Sequence, residues 1–252
     1  MGKIEYTPML KRYLVKFTFR LIVFLSVLGL YLFADKSLWD LATQPIVHGI
    51  TPMHVLWRTF MIIMLSHIFH GKFRTMALLK ARKETYKKVE GYSELEMFHY
   101  LKEQNIRAWY VMLTWLLANA VFGFLYLIGV MDRSDLLMLS VFYFLCDYIC
   151  ILFFCPFQTG IMKNKCCVNC RIYDWGHFMM FTPMLFIPNF YSWSLFFMSA
   201  VVLIHWEILY AGHLEQFWSG SNQILQCANC KDKTCQIKRK IRQQAVAAWK
   251  KK

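Results

Sequence analysis

An all-α, polytopic transmembrane helical bundle of five or six spans, with both termini cytoplasmic, is the fold class this sequence predicts, on three observations. Of its 252 residues, 58% are apolar, well above the roughly half usual in soluble domains. The mean hydropathy is positive, at +0.35. The apolar residues also gather into runs near the roughly 20 residues that carry a helix, at about 1.5 Å per residue, across a hydrocarbon core of about 30 Å.

The first run, 15–34, follows Lys11 and Arg12, contains Lys16 and Arg20 at its start, and lacks a small-residue cleavage site, so it reads as a retained span rather than a signal peptide. The second, 52–70, opens on Thr51 as N-cap with Pro52 at the first helical position. Runs 109–130 and 136–154 form a tight hairpin about residues 131–135. Segment 173–188 is short and carries Pro183, which predicts a kinked or re-entrant piece, and 193–212 returns through the bilayer. Ser93 followed by Glu96 resembles a capping box and predicts a helix ahead of the third span, either amphipathic on the inner leaflet or a solvated connector.

Charge sets the orientation. All but Lys36, Arg58 and Arg133 of the 29 basic residues fall in the N-terminal flank with the start of the first run, loop 71–108, loop 156–172 and tail 213–252, which places those segments in the cytoplasm. The chain is thus one integral membrane domain, 1–252, with that cytoplasmic loop, a cysteine loop and a basic cysteine-containing tail. The net charge of +14 is explained by topology and gives no reason to expect nucleic acid. The basic tail from Lys238 suits an anionic lipid surface.

Nine cysteines are an odd number, and six of them, crowded into two short polar segments on the side richest in positive charge, indicate a reducing compartment. One cluster holds Cys166, Cys167 and Cys170; the other holds Cys227, Cys230 and Cys235. Each contains a C-x2-C pair, the spacing with which two thiolates grip one soft metal. A hairpin through the bilayer would bring the pairs together, with Cys167, Cys170, Cys227 and Cys230 as metal ligands and Cys166 and Cys235 as substitutes. Zinc, an iron-sulfur cluster and redox-active dithiols all fit this pattern. Six thiols exceed the four of a closed zinc site, which favours a redox role.

Just upstream stand Cys146, Cys150, Cys155, Pro156, Phe157 and Gln158. This stretch with the following thiols resembles the Cys-Pro motifs of membrane-bound polyferredoxin-type electron-transfer proteins. The resemblance covers about 25 residues and lacks the regular ferredoxin cysteine runs. It implies an iron-sulfur cofactor. Cys146 and Cys150 alone, one helical turn apart, read as buried packing residues.

Ionisable groups within spans are costly and mark candidate sites. Asp147 needs a partner such as Arg58, and with His67, His205 and Glu207 it would line a cavity beneath the thiols suited to proton uptake at a quinone. His177 and His213 are alternative ligands or interface anchors, and His67 with His70 reads as an interfacial pair. The expectation is a protein of a bacterial or archaeal cytoplasmic membrane, its cytoplasmic metal-thiolate centre passing electrons to or from a membrane acceptor such as a quinone, or to a redox partner protein. A zinc-clamped transporter or scaffold and a lipid-modifying enzyme built on Asp147, His205 and Glu207 are the alternatives.

Overall fold

The computed structural model describes residues 6–34, 36–46, 49–69, 76–164 and 166–249. Among the described residues the chain is all-α, with an isolated antiparallel bridge between Lys88 and Asn222 and no strand. Four helices are long and apolar enough to cross a membrane: α1 (Pro8–Phe33), α5 (Glu94–Leu127), α6 (Arg133–Leu152) and α8 (Phe190–Gly212).

Local chemistry explains where they begin. The Thr7 hydroxyl accepts from the Leu10 amide at 3.1 Å and Pro8 follows it, so α1 starts with an orphan donor satisfied and a φ already helical. Only Leu10 and Tyr13 of α1 are fully buried; Leu14, Phe17 and Val27 pack half-buried against the bundle, while Val15, Phe19, Ile22 and Leu25 are exposed, as lipid allows. The helices α2 (Leu38–Thr43) and α3 (Pro52–Ile68) follow, and Thr51 caps α3 as expected, with the His54 side chain closing the capping box. At 17 residues, about 26 Å, α3 is shorter than the span anticipated there. His70 lies outside the described residues.

After the one-turn α4 (Met76–Leu79), Ser93 caps α5, a single helix of 34 residues. The helix expected before the third span and the span itself are therefore one continuous element, because residues 94–127 contain no proline and their first glycine is Gly123. Gly123 has a packing role: a Cβ there would lie 2.2 Å from the Phe186 ring. Gly129, at φ +78°, ends the hairpin's first arm, and Asp132 with Asp135 forms the reciprocal capping box of α6.

Segment 173–186 is broken as its proline foretells: a 3-10 turn, the short α7 (Gly176–Phe181), then a second 3-10 turn carrying Pro183. It packs against α6, α8 and α5, and Trp175, Phe178, Met180, Phe181 and Met184 are buried. Polar contacts between these segments lie at two ends of the bundle. At one end Tyr31 meets Asp135, and His54 meets Tyr191 at 2.6 Å. At the other, the start of α1 meets the tail and Tyr173, with the Tyr13 hydroxyl donating to Asp232 at 3.2 Å. The tail makes several 3-10 turns and the terminal α9 (Cys235–Trp249), which rests on the end of α6.

Candidate functional site

The thiols converge where α6 ends. The helix stops at Leu152, and Cys155-Pro156 leads into a π turn, Phe157–Ile161. That turn folds Gln158 back so that its amide donates to the Cys155 sulfur at 3.4 Å, while its side-chain oxygen accepts from Cys167 at 3.3 Å. The Lys238 ammonium, on the first turns of α9, donates to the Cys150 carbonyl at 2.6 Å, to Gln158 Oε1 at 2.7 Å and to Cys167 Sγ at 2.9 Å. All three of its donors are used.

These sulfurs line a cavity of about 440 Å³, within the size range of small-molecule sites. Its wall is mainly apolar and aromatic but includes Cys146, Cys150, Cys155, Cys167 and Cys170, with Asp147 and Gln158 as polar points. The Cys150 thiol donates toward Cys155. That bond, with the Gln158 amide and the Lys238 charge, outweighs burial and lowers the Cys155 thiol to about 7. Burial raises Cys167, against the pull of Lys238, and raises Cys170 to about 12.

The loop between the thiols is held from below. Lys80 is 1% exposed and donates to the carbonyls of Val168 at 2.9 Å and Cys170 at 2.8 Å, with the rings of Trp206 and Phe217 beside it. Burial lowers this amine to about 8. Along the chain Lys80 lies in a run of basic residues that reads as a solvated face, and Lys238 opens the basic tail that reads as a lipid-facing surface, so neither points to the thiols.

The other thiols occupy a separate set. Cys166 and Cys230 both pack against Val168 and Leu225. Cys230 closes a 3-10 turn with its amide on the Cys227 carbonyl at 3.3 Å, and Cys227 is exposed. Cys235 opens α9 within electrostatic reach of Cys230 and Cys227. Cys167 and Cys170 thus face the cavity while Cys227 and Cys230 lie with Cys166. Among the described residues no group of three or more His, Cys, Asp or Glu side chains is arranged to hold a metal ion.

The polar residues expected within the spans also separate. Arg20 of α1, rather than Arg58, is the partner of Asp147: its guanidinium donates to the carboxylate at 2.7 Å and to the Phe144 carbonyl at 2.6 Å, and lies over the Phe144 and Tyr148 rings. Arg58 is exposed on α3. The pairing follows from α1 packing against α6, a neighbour relation that spacing along the chain does not disclose. His67 contacts Asp174 at 3.1 Å and His177 at 3.5 Å, and Arg20 lies within electrostatic reach of His177. His177 is therefore part of this polar group rather than beside the thiols.

Glu207 belongs elsewhere. It forms a forked ion pair with Arg171, accepts from Trp175 at 2.8 Å, and faces a second cavity of about 540 Å³ between α5 and α8. His205 is half-buried on α8 and lines neither cavity. The single cavity expected to hold Asp147, His67, His205 and Glu207 is therefore replaced by an Asp147 site, a neighbouring histidine group and a distinct Glu207 site. Comparison with protein-family models, with curated proteins and with solved structures gives no match.

Proposed function

We propose that this chain is an integral membrane thiol oxidoreductase whose dithiol, Cys150 with Cys155, exchanges electrons with a lipid-soluble acceptor of the quinone class in the adjoining cavity. The observation that carries this reading is the placement of five thiols on the wall of an otherwise apolar cavity, with Cys155 held near a thiolate at neutral pH. The reaction balances without another reagent. Oxidation of two thiols to one disulfide releases two electrons and two protons, which convert a quinone to its quinol.

Cys155 is the attacking thiolate, with Cys150 its resolving partner. Cys167, steadied by Lys238, is the thiol placed to exchange with the pair. Asp147 lies on the same wall and, with Arg20, gives the cavity a polar end suited to a quinone oxygen. The concentration of basic residues around the thiol end favours a cytoplasmic position for it, with the acceptor reached from the bilayer.

The test is direct. Anaerobically prepared, fully reduced protein is mixed with a short-chain benzoquinone, while quinol absorbance and remaining thiols are measured. The expected result is one quinol per two thiols lost, a Cys150–Cys155 disulfide in the peptide map, and no reaction in Cys155→Ser. Absence of that disulfide together with no quinol would refute the proposal. Stoichiometric iron or zinc in the same preparation would return the site to the metal-thiolate reading.

A further inference from the structure

Cys166 and Cys167 are adjacent in the chain, yet their sulfurs belong to different surroundings. Cys167 faces Gln158, Lys238 and the cavity, whereas Cys166 packs on Val168 and Leu225 beside Cys230. Cys230 is half-buried and Cys227, on the same turn, is exposed. The thiols therefore form a graded series from solvent to cavity, and the vicinal pair is its junction.

Two further contacts fix that junction. Lys80 pins the backbone on both sides of Asn169, which holds the loop bearing the vicinal pair. The helix α9 begins at Cys235, near the outer set, and three residues later places Lys238 on Cys167. One helical turn thus ties the outer thiols to the inner ones.

We infer that Cys227 and Cys230 form a second, solvent-facing redox site that accepts electrons from a soluble dithiol protein, and that Cys166–Cys167 relays them to the cavity pair. This rests on the dithiol reading of the cavity. The exchange conserves electrons at each stage, since one S–S bond forms as one breaks and the attacking thiol's proton ends on the departing sulfur. With the cavity disulfide formed, Cys167 attacks Cys155 and frees Cys150. Cys166 then displaces Cys155, closing the vicinal disulfide, and Cys230 displaces Cys167. Cys227 displaces Cys166, and the resulting Cys227–Cys230 disulfide is reduced by the external dithiol.

A C-x2-C turn suits that last step. Its backbone hydrogen bond holds both cysteines on one turn, and Lys231 and Lys233 next to it favour approach of an acidic or thiolate-bearing partner surface.

The relay is tested on the full chain in detergent, with the cavity disulfide formed by diamide so that quinone chemistry is not required. Reduction of Cys150–Cys155 is then followed by peptide mapping, with either reduced thioredoxin or a small membrane-permeant phosphine as reductant. Wild type is expected to respond to both. Cys166→Ser and Cys230→Ser are expected to lose the thioredoxin response and keep the phosphine response, which also shows that the cavity disulfide is intact in each variant. Thioredoxin reduction persisting at the wild-type rate in both variants, or failing in wild type while phosphine succeeds, would overturn the relay. Failure of diamide to form the cavity disulfide would instead strike the underlying dithiol assignment and remove the relay with it.

Discussion

Replacing Lys238 with methionine keeps a long unbranched side chain and removes the ammonium that joins α9 to the thiol site. Three contacts disappear: to the Cys150 carbonyl, to Gln158 Oε1 and to Cys167 Sγ. A hydrogen bond to a charged group contributes about 1.5–3 kcal/mol, and each 1.4 kcal/mol is about tenfold in an equilibrium. The thiolate population at Cys167 should therefore fall roughly 10- to 100-fold, because burial already raises that thiol and Lys238 is the chief opposing influence. Pulsed alkylation with N-ethylmaleimide at neutral pH, read site by site by mass spectrometry, measures this directly. The exposed Cys227 provides the internal reference. A Cys167 rate unchanged relative to Cys227 would refute the claim that Lys238 holds this thiol ready, whereas Lys238→Arg should retain much of the wild-type rate through its charge.

Alkylation of Cys155 should rise with pH to a midpoint of about 7, and Cys150→Ala, which removes the leading cause of that lowering, should move the midpoint up toward the ordinary value of 9.0; coincident midpoints in the two proteins would contradict the assigned cause. Arg20→Leu leaves the Asp147 carboxylate without its partner inside the bundle and should cost about 3–5 kcal/mol, seen as a large drop in the detergent unfolding midpoint. The double change Arg20→Leu with Asp147→Leu should recover most of it, and no recovery would show that the pair is not the source of the loss. Because burial lowers Lys80 to about 8, the unfolded chain retains a proton there that the folded chain has released as pH rises from about 8, so this group's contribution to stability increases with pH. Cys155 acts in the same direction between about 7 and 9, while Cys170, raised to about 12, opposes it above 9. Unfolding midpoints measured from pH 8 to 9 should accordingly climb less steeply in Lys80→Met than in wild type.

The apolar runs, read along the chain, were enough to place the four long helices, while the short α2 and α4 and the terminal α9 were not anticipated. Thr51-Pro52 and Ser93 each begin a helix where short-range chemistry requires it, and Pro183 breaks the segment that contains it; the Asp132 capping box, read only as a turn along the chain, is equally local. These are local effects, decided within a few residues of backbone. The bilayer length requirement likewise acts on contiguous sequence, so α1, α5, α6 and α8 were legible as long apolar elements.

Partnership was not legible, because it depends on which helix faces which. Arg20 reads as part of a basic flank until α1 lies on α6 and brings it to Asp147. Cys146 and Cys150 read as packing residues until the π turn and the loop carrying Cys167 close a cavity around them. Lys80 reads as solvated charge and Lys238 as the start of a lipid-facing basic tail until tertiary contacts place one beneath the cysteine loop and the other on a thiol. A side chain's hydrophobicity belongs to its own residue, whereas a pairing in three dimensions exists only after distant helices have met. For that reason chain order supplied the bundle's elements, and packing decided which residues make the site.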